Sequence, residues 1–197
     1  MRSMLFVTAV AVLAAVPFTG AVADWVLDAK DSALHFVSIK KGAVGEVHTF
    51  RKLEGAVSDL GAAVVQIRLD SVDTGVEIRD ERMRKMLFRT EKHPLATATA
   101  KMDAAMLKAL KPGERRLIPL KFSLKLHGAV HAYEVPVIVT GLTGGAIAVD
   151  SRQPVIVNAA DFGLEQGVEA LRKVVELPSI AKAVPVTFDL VFRPAGK

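Results

Sequence analysis

Phe122-Ser123-Leu124-Lys125-Leu126-His127 alternates strictly between apolar and polar side chains. In an extended chain successive side chains point to opposite faces, so Phe122, Leu124 and Leu126 share one face, while Lys121, Ser123, Lys125 and His127 share the other. One face seeks a core and one seeks water. The same period recurs near the C-terminus, where Val184, Val186, Phe188, Leu190 and Phe192 oppose Pro185, Thr187 and Asp189. It recurs again in Val65, Ile67 and Leu69 against Gln66 and Arg68, and in Leu34 and Phe36 against Ala33 and His35. Extending this pattern predicts strands over about 31–40, 45–58, 63–72, 96–102, 115–127, 131–140, 146–157 and 184–193.

Strands with one apolar face must hide it by stacking two sheets or by closing into a barrel. Short turns such as His127-Gly128-Ala129 and Gly141-Leu142-Thr143-Gly144-Gly145 favour hairpins between sequence neighbours. A meander of that kind closes naturally into an up-and-down barrel. The expected fold is therefore all-β, an eight-stranded antiparallel up-and-down barrel with one or two short helices.

Two helical interruptions are marked. Thr74-Gly75-Val76-Glu77 has the spacing of a capping box, and Met83, Met86 and Leu87 follow at i, i+3, i+4 as an apolar stripe. This stripe is expected to pack on the barrel or to plug one mouth. A second helix is predicted over about Gly167 to Glu176, with Val168, Leu171 and Val174/Val175 on one side and Pro178 beyond its end. A weaker helical turn is predicted around Asp103 to Leu110, before Lys111-Pro112-Gly113.

The chain of 197 residues is 51% hydrophobic and 24% charged, which excludes a disordered or collagen-like protein. It contains no cysteine, so disulfide scaffolds, thiolate metal centres, thiol nucleophiles and lipid-modified cysteine are excluded too. At the N-terminus, Arg2 precedes an apolar run from Met4 to Val16, broken by Pro17-Phe18-Thr19-Gly20 and followed by Ala21-Val22-Ala23. Residues 1–23 read as a cleavable signal peptide, with residues 24–197 as the exported barrel domain. The apolar run falls short of the roughly 20 residues that a stable membrane anchor needs. The expected compartment is the periplasm.

The formal charge of +5 is modest and interleaved with acids, and a single Tyr and a single Trp offer little for base stacking, so no nucleic-acid partner is expected. No phosphate loop and no Gly-x-Ser-x-Gly elbow is present. The histidines are His35, His48, His93, His127 and His131; His127 and His131 straddle a turn, where both could reach one metal ion, although surface hairpin histidines are the simpler reading. No residue pattern demands a cofactor or a catalytic centre, and no metal site is assigned.

Several motifs carry a resemblance beyond periodicity. Ser71-Val72-Asp73-Thr74, Arg79-Asp80, Leu87-Phe88, His93-Pro94, Leu126-His127-Gly128 and Asp161-Phe162-Gly163-Leu164 occur in an order similar to that of the YceI-like family of largely exported bacterial proteins. The similarity extends from Asp28, Ser32 and Phe36 to the last strand, Val184 to Phe192. It implies a lipocalin-like barrel whose interior holds a long polyisoprenoid chain or a related fatty amphiphile, often in a homodimer. This chain departs from the family pattern at Ala98, where an aromatic is common, and at Ala159-Ala160, where an Arg is common. It departs again at Ala129-Val130-His131, and in an added segment from Gly167 to Ile180.

On this reading the candidate ligand-binding residues are Phe36, Ile67, Leu69, Met83, Leu87, Phe88, Phe122, Leu124 and Phe188. Arg79 and Asp80 are expected to tie the helix to the barrel. The competing readings are a partner-binding or stress-response module with a filled barrel, and an enzyme acting on a small amphiphile through the two hairpin histidines or scattered carboxylates.

Overall fold

The computed structural model describes residues 23–196. Its strands are β1 (Ala23–Leu27), β2 (Ala33–Lys40), β3 (Val44–Phe50), β4 (Leu53–Ser58), β5 (Ala62–Arg68), β6 (Val72–Asp73), β7 (Leu95–Lys101), β8 (Arg115–Leu126), β9 (Ala129–Gly141), β10 (Ile147–Ser151), β11 (Val155–Asn158) and β12 (Ala183–Pro194). All pairings are antiparallel, and they run in the order β1-β4-β5-β7-β8-β9-β10-β12, with β12 returning to β1. This is a closed eight-stranded antiparallel barrel.

Twelve segments make eight wall strands because four of the walls are broken midway, one of them being β5 and β6, which pair with β4 and β3 in turn. β12 pairs with β10 through Asp189–Phe192 and with β11 through Ala183–Val186, so β10 and β11 act as one bent strand. On its other flank β12 pairs with β1 and then with β2, which together form a second bent strand. The break there is stitched by Ser32, whose Oγ accepts from Val191 N at 2.9 Å, and by Asp28 N, which donates to Val191 O at 2.8 Å. β3 and β4 form the third, interrupted at Arg51 and Lys52, whose amides donate to Ser71 O and Ser71 Oγ. Each wall strand is thereby flanked on both sides over part of its length, while β11 pairs only with β12 and β6 only with β3.

The inward rows are those read from the alternation. Val137 and Val139 are fully buried, and Ile147, Val149, Leu190 and Phe192 join them in one continuous core. At one end of the barrel sits α2 (Ala104–Ala109), capped by Asp103, whose carboxylate accepts from the amides of Ala105 and Met106. Its Leu107 is 2% exposed and belongs to the same core. Trp25 is held nearby by a 2.9 Å hydrogen bond from Nε1 to Gly145 O.

The other end carries α1 (Glu77–Arg82), which continues as a π-helical stretch over Met83–Phe88, and α3 (Glu165–Val174). The expected capping box does not form. The N-cap is Val76, with no side-chain cap, and Glu77 is the first helical residue, so it cannot fill the third-position role. Thr74 turns instead to Asp80: its amide and its Oγ both donate to Asp80 Oδ1, at 2.9 and 2.5 Å. Arg79 completes the knot by donating to Thr74 Oγ1, to Thr74 O and to Glu46 Oε2 on β3. The Arg-Asp pair thus ties the helix to the wall. The second helix begins two residues earlier than predicted and ends at Val174, and the segment assigned to the signal peptide lies outside the described residues apart from Ala23.

On the outer surface Asp150 and Asp189 stand directly opposite each other across β10 and β12. Burial and the facing Asp189 carboxyl push Asp150 up to about 6. A carboxyl raised above its unfolded value costs stability once both states are ionised, and that cost disappears when both are protonated. Asp150→Asn should therefore raise the melting temperature at pH 7.5, with the gain fading as the pH falls from about 6 toward 4. Thermal melts of both proteins across that range check the sign.

Candidate functional site

The interior is not filled. A chamber of about 120 Å³ lies in the α2 half of the barrel, walled by side chains that include Val57, Leu120, Phe122, Val149, Phe188 and Phe192. A second, of about 160 Å³, is walled entirely by apolar residues, among them Phe50, Leu69, Phe88 and Leu126. The two share Leu34, Ile67, Leu124, Val157 and Val186 in their walls, so they adjoin and form successive parts of a tunnel-like interior. A third chamber, of about 360 Å³, shares Phe36, Met83, Leu87, Val168 and Val184 with the second and opens between β2, β3, α1 and α3. Space walled by hydrocarbon offers water no hydrogen bonds, so it suits an apolar guest.

All nine sequence-selected residues lie on this tunnel. Ile67, Phe122, Leu124 and Phe188 wall the deep chamber, and Phe36, Leu69, Met83, Leu87 and Phe88 wall the middle one. The small side chains Ala63, Ala98 and Ala100 also line the deep chamber, so the departure from the family's aromatic at Ala98 leaves room there. The π-helical stretch supplies Met83, Leu87 and Phe88, and ends at Arg89 in the left-handed region with φ 50°. Its wider turn presents three apolar side chains to the tunnel within six residues.

Sequence reasoning missed the polar lining of the outer chamber, formed by Ser38, Lys40, Glu46, His48, Arg79 and Arg82. Ser38 and Lys40 continue the inward row of Leu34 and Phe36, and Glu46 and His48 continue that of Phe50. Parity was the available signal. Lys40 and Arg79 both reach Glu46 Oε2 at 2.8 Å. The Lys40 ammonium, aided by the Arg79 guanidinium, holds the Glu46 carboxyl below the usual carboxylate range. His48 is buried, and burial, reinforced by Arg79, pushes its imidazole below the ordinary histidine range.

The two hairpin histidines do not converge. His127 sits in the turn with φ 51°, its Nδ1 3.3 Å from Phe162 O and its ring centroid 4.3 Å from that of His93, the two planes tilted by 50°. His131 lies against Tyr133, with Nε2 3.9 Å from Asp161. Among the described residues no group of three or more His, Asp or Glu side chains is placed to hold a metal.

Comparison with known proteins fits this barrel and tunnel. The model of the YceI-like domain matches residues 25–192. The chain belongs to the YceI-like domain family. Among solved structures, a polyisoprenoid binding domain from Saccharophagus degradans, implicated in plant cell wall breakdown, is 38% identical. That match covers 88% of this chain and 99% of the other, with a TM-score of 0.86. BcnA from Burkholderia cenocepacia shares the fold at 21% identity and a TM-score of 0.63, covering 84% of this chain and 98% of its own. The Campylobacter jejuni YCEI protein shares it at 14% identity and a TM-score of 0.53, covering 76% of this chain and 85% of its own. Comparison with curated proteins finds no match.

Within this YceI-like barrel, α3, which includes part of the segment that departs from the family pattern, packs closely on the π-helical stretch beside the outer chamber. A Cβ added at Gly167 would lie 2.9 Å from Leu87 Cα and 3.0 Å from Met86 O, both backbone atoms that cannot swing aside. Gly167→Ala should destabilise the fold by about 1–3 kcal/mol despite its better helix propensity. Urea unfolding checks this; a stabilised variant would contradict the packing described.

Proposed function

We propose that this YceI-like protein is a non-enzymatic binding protein that carries a polyisoprenoid, or a similar long amphiphile, inside its barrel through the aqueous periplasm. Export through a signal peptide in residues 1–23 is part of the proposal. The observation that carries it is the tunnel-like interior: adjoining chambers, the two inner ones walled by hydrocarbon and the outer one bordered by polar side chains. The 38% identity to a polyisoprenoid binding domain supports the same ligand class.

The energetics are adequate. Burying hydrocarbon yields about 0.8 kcal/mol per methylene, or about 3–4 kcal/mol for each five-carbon unit before association costs. Two or three buried units suffice for useful affinity, and a free tail of that kind is insoluble between membranes. A barrel filled by its own side chains would serve only an outward-facing partner role, and the adjoining chambers favour the carrier reading instead.

Native mass spectrometry of untagged protein from its own host should show a stoichiometric apolar adduct that organic solvent removes. Ala98→Trp, which places a large ring in the deep chamber, should weaken tail binding by roughly a few hundredfold, as expected if one five-carbon unit is excluded. A clean apo mass for the wild type, or undiminished binding by the folded variant, would contradict the proposal.

A further inference from the structure

The outer chamber has a rim of exposed hydrocarbon. Val76, Ile78, Val174 and Val175 all line it, and each leaves 43–51% of its surface to solvent. Two helix ends put them there. Val76 is the N-cap of α1 and Ile78 lies in its first turn, while Val174 closes α3 and Val175 is its C-cap. The tip of the β2–β3 hairpin adds the exposed Val44. That tip is fastened to the chain beyond α3, with Lys41 N donating to Ser179 O at 3.1 Å and Ala181 N to Ile39 O at 2.8 Å. Leu117 and Val130, exposed on the barrel wall, line none of the three chambers.

Apolar side chains gathered at one opening mark a contact surface, whereas scattered ones need no explanation. The charges among them select the partner. On the hairpin, α1, the π-helical stretch and α3, the acids Glu46, Glu81, Glu165 and Glu169 are each paired with a cation, and Asp80 accepts twice from Thr74. Lys41, Arg82, Arg84 and Lys173 make no ion pair among the described residues, and only Glu77 and Glu176 stand unpaired against them on these elements. The uncommitted charge is positive. Exposed aliphatic side chains beside free Lys and Arg fit the boundary of an anionic phospholipid bilayer, where the first reach the acyl region and the second the phosphates. Continuity favours a bilayer over a protein. The chamber behind this rim adjoins the apolar ones, so a rim seated in lipid lets a tail pass between hydrocarbon phases with little exposure to water.

We propose that the rim formed by Val76, Ile78, Val174 and Val175 docks on an anionic phospholipid bilayer, where the tail is loaded and released. Lys41, Arg82, Arg84 and Lys173 draw the protein to that surface, and the aliphatic side chains hold it there. This rests on the carrier reading above and adds the surface at which exchange takes place.

Vesicle flotation of the full exported protein tests the docking, with vesicles of phosphatidylcholine alone or mixed equally with phosphatidylglycerol. At low salt the wild type should bind the mixed vesicles about tenfold or more tighter than the neutral ones, and high salt should erase the difference by screening. Ile78→Glu combined with Val174→Glu should weaken binding to the mixed vesicles by about a hundredfold, as expected for two apolar side chains each worth about tenfold. Leu117→Glu combined with Val130→Glu, which puts the same charges on the outer wall, should leave it unchanged. All four positions are exposed, so both variants keep the fold. Undiminished binding by the rim variant, or an equal loss from the wall variant, would overturn the docking surface. A wild type that takes up a fluorescent fatty probe and binds neither vesicle would overturn docking and leave the carrier reading intact. Absence of vesicle binding together with a dimer that the rim variant splits would give the rim to a second copy and overturn docking too. Vesicle binding by a protein that takes up no probe would support the docking surface and overturn the carrier reading.

Discussion

The two-sided pairing of β12 is the constraint on which the rest depends. By bonding to β1 and β2 along one flank and to β10 and β11 along the other, this strand joins the last wall to the first and turns a sheet into a closed barrel. Closure forces every inward row toward a common axis, and the apolar face has nowhere else to go. Whether such a barrel is solid or hollow then depends on side-chain volume. Ala63, Ala98 and Ala100, on the neighbouring strands β5 and β7, are too small to reach across, and the chamber stays open beside them.

Much of this was legible in the sequence because alternation is a direct physical consequence of the extended backbone. Phe122, Leu124, Val186 and Phe188 are recognisable as inward from their parity alone, and the structure places them on the tunnel wall. The breaks were not legible. Arg51-Lys52 and Arg152-Gln153-Pro154 interrupt walls that read as continuous, since a bend in a strand preserves the hydrophobic pattern on either side of it. β1 was missed because five residues beside a signal-peptide boundary are too few for a period to register. The Thr74 knot shows a different limit: a capping-box spacing was present, but the hydroxyl, instead of accepting a backbone amide proton, donates its own to the Asp80 carboxylate.

The polar mouth was hidden by the rule that revealed the walls. Lys40, Glu46 and His48 sit at inward positions, yet polar residues ordinarily mark the outward face, so the alternation reads as ending where it continues. A local rule that fails without a structural reason points to function. Here the failure coincides with the tunnel entrance, where α1 and the π-helical stretch are fixed to β3 by Arg79 and where α3 packs tightly through Gly167. On the proposed reading the wall and the mouth divide the work, with hydrocarbon burial as the source of affinity and the polar groups at the rim facing the guest's end.

The most direct test of a tail held within the wall is photo-crosslinking with a geranylgeranyl probe carrying a diazirine near its tail end, followed by peptide mapping. The account predicts labels on inward residues of the deep chamber such as Leu124, Val149 and Phe188. Labels confined to exposed outward residues such as Leu117 and Val130 would show the tail lying on the surface and would contradict it.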